Sequence, residues 1–200
     1  MRPNQEFNHL LMRGGIGLSA SGGSYTINGD YAVHTFTQSG TFSVITSGPA
    51  KLLVVGAGGS CIVGASNGTK GGGAGGSVRY NDGIIFTTTD YSIIVGTAHT
   101  SDTNMSYPQS YPSSANGVVA NGGRGPSFFD HYGGTNDEFG SVNYGGGAGA
   151  GSAGLGPYGP IAGGTAGCPA LEQYYGGTGG IGVYSDISGS IICYGSGGGA

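Results

Sequence analysis

Charge is what this chain has least of. Its 200 residues include 6 Lys and Arg and 10 Asp and Glu, 8% charged in all, with a formal net charge of −4. The basic residues are scattered from Arg2 to Arg124. They form no stripe that could track a phosphate backbone, so nucleic acid is not expected as a partner. Long apolar runs are missing too. No stretch approaches the roughly 20 residues needed to span a bilayer, and Leu10-Leu11-Met12 is too short for a signal-peptide core, so neither membrane insertion nor Sec export is expected. The 3 cysteines, Cys61, Cys168 and Cys193, show no CxxC spacing and have no histidine close by. A zinc site is therefore not expected, at most one disulfide can form, and the three read as small buried hydrophobes.

What the chain has in excess is glycine, 48 residues, in doublets and triplets rather than on a collagen-like every-third register. Each glycine loses more backbone freedom on ordering than alanine, roughly 0.5–1 kcal/mol. An ordinary domain, with a net stability of about 5–15 kcal/mol, could not absorb that penalty 48 times over without a compensating gain. Low charge and 10% aromatic residues nevertheless argue against an expanded chain, because disordered segments usually owe their expansion to charge. The glycine runs must therefore gain something that only glycine permits.

The chain divides by composition. Residues 1–23 hold Arg2, Glu6, His9, Leu10, Leu11 and Arg13 in a short space and read as an arm or attachment segment, with FNHLLMR as one or two helical turns stopped by Gly14-Gly15. Residues 24–200 read as one glycine-rich β domain. Within it, Asn28-Gly29-Asp30 and Gln38-Ser39-Gly40 are hairpin signals between alternating apolar runs, HTFT and TFSV flanking the second. Leu52-Leu53-Val54-Val55 is a continuous apolar run suited to a strand buried on both faces. A second β region spans 77–96 with Asn81-Asp82-Gly83 as its turn. Glycine blocks occupy 56–76 and 144–200, and the Ser-, Asn-, Tyr- and Pro-rich stretch 97–143 reads as exposed loops.

Several strings imitate chemistry. KLLVVGAGGSC at 51–61 begins like a dinucleotide fingerprint, but Cys61 stands at the third glycine position and IVGASNGTKGGG cannot start the helix that would meet a pyrophosphate. In Gly68-Thr69-Lys70 the threonine separates glycine from lysine, so the lysine does not reach the phosphates a P-loop cradles. His9, His34, His99 and His131 are widely spaced, and Asp130-His131 has no nucleophile elbow to serve. Asp137 and Glu138 lack a calcium-loop spacing. No catalytic, cofactor-binding or metal-binding residue is expected, and the chain does not read as an enzyme.

Glycine-rich polyproline-II-type segments offer the required gain. They have no internal hydrogen bonds, so they can pack backbone to backbone and bond one another, satisfying groups that must be paired when buried. The expected fold class is mainly β with irregular glycine-rich extended (polyglycine/polyproline-II-like) segments and little or no helix.

In this light an ordered series of segments resembles the glycine-rich domains of bacteriophage tail fibres and tail adhesins. HTFTQSGTFSV (34–44) is similar to the family's opening hairpin, and LLVVGAGGS (52–60) to its buried strand entering the first glycine run. GGGAGGSVRY (71–80) and YSIIVG (91–96) resemble its next strands, NGGRGPSFF (121–129) its Gly-Ser-Phe turn, and GGTGGIGVYSDISGSIICYGSGGGA (176–200) its late block. The family's apolar closing strand has no counterpart before Ala200, which implies a domain lacking that strand or receiving it from elsewhere. The resemblance implies a virion component without catalysis, homo-oligomeric with a trimer favoured, joined to other tail proteins. It also implies contact with a host-surface glycan or outer-membrane protein. Candidate receptor-contact residues are Tyr107 and Tyr111 in loop 99–114; His131, Tyr132, Asp137, Phe139 and Tyr144 in loop 130–144; and Tyr174 and Tyr175 in loop 168–175, since tyrosine offers a flat apolar face and a hydroxyl at low entropy cost. The same tyrosines could instead cover glycine layers within the subunit. The rival class is a self-assembling protein of an extracellular or cell-surface filament, with glycine blocks packed between subunits.

Overall fold

The structure, a computed structural model, describes residues 8–13, 17–59, 73–99, 110–125 and 181–196. In chain order the first strands are β1 (Asn8–Arg13), β2 (Ser19–Ser21), β3 (Ser24–Asn28), β4 (Tyr31–Phe36), β5 (Gly40–Thr46) and β6 (Gly48–Val55). They are followed by β7 (Val78–Phe86), β8 (Asp90–Ile94), β9 (Ser113–Ala115), β10 (Val118–Ala120), β11 (Val183–Ser185) and β12 (Ile192–Tyr194). Sheet A has the order β3-β4-β1-β6-β7, sheet B the order β10-β9-β8-β5-β2, and β11-β12 form a separate ribbon. The described residues are mainly antiparallel β-sheet, with no helix among them.

The turn at Asn28-Gly29-Asp30 forms as its residues require. Asn28 pairs Tyr31 across a two-residue loop, and Gly29 takes φ +57, the left-handed conformation that glycine at the first central position supplies. The second expected hairpin does not form. HTFT and TFSV lie in different sheets, because both edges of β4 are occupied, by β3 and β1, leaving β5 to pair with β2 and β8 in sheet B. Asn81-Asp82-Gly83 is not a turn either. Strand β7 runs through it with Lys51 opposite Asp82 and Ala50 opposite Ile84, so Gly83, at φ +102, is the extra residue of a β-bulge.

The N-terminal segment also differs from its reading. Asn8–Arg13 is a strand, not a helical turn, and it is the central strand of sheet A, paired with β4 on one side and β6 on the other. A segment this short cannot hold a helix by its own bonds, whereas two neighbouring strands satisfy its backbone directly. Residues 97–143, read as loops, contain the β9–β10 hairpin, where Asn116 (φ 45) and Gly117 (φ 76) form the Asn-Gly pair favoured in two-residue turns.

Strand β6 ties the fold together because both of its faces are buried, as its apolar run predicts. Leu52 and Val54 enter the core between the sheets with Phe36, Phe42, Val44, Phe86 and Ile93. Leu53 and Val55 face the other way, into a second core with Val33, Ile187 and Tyr194. The ribbon thus packs on the outer face of sheet A, and the described residues form three layers. The first core is an aromatic chain in edge-to-face contact: His34 and Phe42 at 5.2 Å, Phe42 and Phe86 at 5.4 Å, Phe86 and Tyr91 at 4.8 Å. The buried His34 uses its Nδ1–H to donate to the Gly22 carbonyl at 2.7 Å. It is a core residue.

Beyond the sheets, glycine backbone itself becomes the packing material. Residues 56–59 leave β6 as extended chain and bond to 73–77 through Gly56 N–H to Ser77 O (2.9 Å) and Gly59 N–H to Ala74 O (2.6 Å). Residues 121–124 close the triangle: Ala74 N–H donates to Arg124 O (3.0 Å), Ser77 N–H to Asn121 O (2.9 Å) and Gly123 N–H to Ala57 O (2.8 Å). These pairings make 121–124 parallel to 56–59 and antiparallel to 73–77. A Cβ at Gly56 would overlap the Asn121 carbonyl, and one at Gly76 the Gly56 carbonyl. The dinucleotide-like Gly56-Ala57-Gly58 is therefore extended chain consumed by this bundle.

Candidate functional site

Of the candidate contact residues, Tyr111 alone lies within the described residues. Tyr107, His131, Tyr132, Asp137, Phe139, Tyr144, Tyr174 and Tyr175 lie outside them. Tyr111 is 58% exposed and stacks on His99, with ring centroids 6.5 Å apart and planes inclined 21°. Its mounting is rigid. Tyr111 N–H donates to Thr97 O (3.0 Å), and the preceding Ser110 N–H donates to Gly123 O (3.0 Å). The buried Ser110 hydroxyl donates to Gly58 O (2.8 Å) and accepts from His99 N–H (2.9 Å). Two glycine segments and both ring-bearing residues therefore meet at one serine. The segment read as a loop to residue 114 is part of the fold at its end, since Ser113 and Ser114 belong to β9 and the buried Ser113 hydroxyl accepts from Gly96 N–H at 2.9 Å.

A second surface was not signalled by the sequence. Between the outer face of sheet A and the ribbon lies a cleft of about 390 Å³ lined by Leu53, Val78, Tyr80, Val183, Tyr184, Ser185 and Asp186. Tyr80 and Tyr184 are each about half exposed, at 52% and 51%. Beside Tyr80, Lys51 Nζ lies 3.6 Å from Asp82 Oδ2. Tyr80 first, and then Asp82, keep the Lys51 ammonium charged above the ordinary lysine range. Below the ribbon, burial pushes the Tyr194 hydroxyl up, partly offset by a hydrogen bond with Ser188. Among the described residues no group of His, Cys, Asp and Glu is placed to hold a metal ion.

The ribbon is also held covalently. Cys193, opposite Tyr184 in β12, is disulfide-bonded, which corrects the reading of all three cysteines as buried thiols. Its partner lies outside the described residues. Alkylation of the denatured, unreduced chain is expected to label one cysteine, and three after reduction. Reduction should lower stability by about 2–4 kcal/mol through the freed unfolded chain. Labelling of all three without reductant would contradict the bond.

Comparison with protein families, curated proteins and solved structures finds no significant match.

Proposed function

We propose that the protein is a non-enzymatic phage virion component, a tail fibre or tail-tip adhesin, whose glycine-built scaffold presents exposed aromatic segments to a host surface. One observation carries this reading: an exposed ring, Tyr111, stacked on the half-buried His99, sits on a segment fastened through Ser110 to two glycine segments. Such a mounting spends hydrogen bonds on holding an aromatic face out in water, where it contributes nothing to a core. Rigid aromatic faces are the residues that dominate contact energy in binding surfaces. The ordered series of motifs from 34 to 200 supplies the virion assignment, and with it a homo-oligomer, a trimer favoured, attached to other tail proteins. The Cys193 disulfide suits a protein that works outside the reducing cytosol.

The test is adsorption. Tyr111→Ala, alone and with Tyr107→Ala, is expected to weaken binding of the purified protein to host cells on the order of tenfold. The thermal transition should stay unchanged, since Tyr111 is exposed. Unaltered cell binding would reject the loop assignment.

The filament reading has one observation in its favour. Among the described residues strand β3 is an edge of sheet A and carries Tyr25 and Ile27 at 57% and 70% exposure, an apolar edge of the kind that templates association. Sedimentation decides between the two. Growth of assemblies with concentration supports the filament, and a discrete oligomer that binds cells supports the adhesin.

A further inference from the structure

We infer that the cleft between sheet A and the ribbon is a binding site for a neutral saccharide of about one or two rings. The inference rests on the attachment reading only for where such a saccharide would be met; the chemistry of the cleft is argued independently of it. The floor is apolar, made by Leu53 and Val78, with the half-exposed Tyr80 beside them on sheet A and the half-exposed Tyr184 on the strand that lines the opposite side. Leaving two tyrosines and Val183 open to water across a concave surface lacks a folding benefit, whereas an aromatic face packs well against the C–H face of a pyranose. The volume, about 390 Å³, is at the small end of the range for ligand clefts, too small for a folded partner.

Charge and backbone geometry narrow the ligand further. Asp186 lines the cleft, and the neighbouring ammonium, Lys51, is already paired with Asp82, so an anionic ligand would meet a carboxylate with no cation among the described lining residues to compensate it. A ligand rich in hydroxyl donors meets an acceptor instead, the Asp186 carboxylate, beside the Ser185 hydroxyl, which accepts from Ile187 N–H at 3.3 Å and keeps its own O–H to donate. Val183, Tyr184 and Ser185 all line the cleft although consecutive side chains of a strand point to opposite faces. The cleft must therefore run along the main-chain edge of β11, which has β12 on its other side and no second strand partner among the described residues. That edge adds N–H and C=O groups for sugar hydroxyls. An added peptide strand is the weaker fit, because β11 offers three residues before Asp186, short of the roughly 5–6 of a typical strand.

Saturation-transfer NMR on the full chain tests this directly. The probes are methyl glycosides of glucose, galactose and N-acetylglucosamine, with tetramethylammonium and a neutral blocked tripeptide as competitors. At least one glycoside is expected to bind, with transfer strongest to the protons of its apolar face. Tyr80→Ala and Tyr184→Ala should each weaken it on the order of tenfold, and Asp186→Asn about fivefold. Val183→Asp, which places a second carboxylate in the cleft, should abolish it if either tyrosine variant fails to fold. Tyr111→Ala should leave glycoside binding intact, so the cleft and the attachment surface fail separately: loss of cell adsorption with glycoside binding retained speaks only to Tyr111. The assignment is overturned if no glycoside binds, if binding survives both tyrosine substitutions, or if tetramethylammonium or the tripeptide displaces the glycoside.

Discussion

Gly76→Ala is expected to destabilise the protein by at least about 3 kcal/mol, at the upper end of what a single inserted methyl costs in a packed interior. In a chain of this size that is a fall in Tm of about 6–12 °C. The reason is backbone against backbone. The new Cβ would overlap the Gly56 carbonyl and stand 2.8 Å from Ala57 O, and neither atom belongs to a side chain that could rotate away. Relief would require residues 56–59 and 73–77 to separate, breaking Gly56 N–H to Ser77 O and Gly59 N–H to Ala74 O. Gly40→Ala is the matched control. A Cβ there meets the Phe36 ring at 3.7 Å, ordinary contact, and Gly40 is not among the glycines at positive φ. Its expected effect is a gain of about 0.4–1 kcal/mol from a less flexible unfolded chain. Thermal melts of the two variants should move in opposite directions. If both fall equally, close approach of the glycine segments is not what holds this region.

Phe42→Ala should cost about 3–5 kcal/mol, the range for removing a buried aromatic ring. Phe42 is fully buried and is the hub of the aromatic chain, touching His34, Phe36 and Phe86 edge to face. Phe36 and His34 come from sheet A and Phe42 from sheet B, so the cavity opens at the joint between the sheets, where partners on both sides are least able to collapse inward. On the same strand Ile45 points the other way and is 65% exposed. Ile45→Ala is expected to stay within about 0.5 kcal/mol. Denaturant midpoints of the pair test the alternation of β5. Comparable losses would mean that the strand is not seated as described.

The parts of the fold legible in sequence are those decided over a few neighbouring residues. Leu52-Leu53-Val54-Val55 announces a strand buried on two faces because four consecutive apolar residues cannot all face one side of a sheet. Asn28-Gly29-Asp30 announces a turn because Gly29 can take positive φ. Asn116-Gly117 carried the same signal but was submerged in a polar, proline-containing stretch. Gly83 shows the limit of such signals: a glycine at positive φ serves a bulge as well as a turn, and which it serves depends on whether β6 continues to pair beyond it. Tyr111 was nameable as a candidate contact residue once the resemblance pointed to its loop; Tyr80 and Tyr184 were not, since nothing within either segment says that they line one cleft.

By itself, then, the sequence determined the mainly β, helix-free character that the described residues have: too little charge to stay expanded, alternating β-branched and aromatic runs for strands, and glycine runs that hold no side chains to pack. The tertiary structure alone decided which strands share a sheet, that β1 rather than a helix fills the centre of sheet A, and that the ribbon covers Leu53 and Val55. Pairing depends on which strand edges remain unoccupied and on contacts between residues far apart in the chain. Glycine is the clearest case of that division. Its abundance shows that close approach is possible, but where 56–59, 73–77 and 121–124 meet is settled only by backbone groups finding one another across the fold.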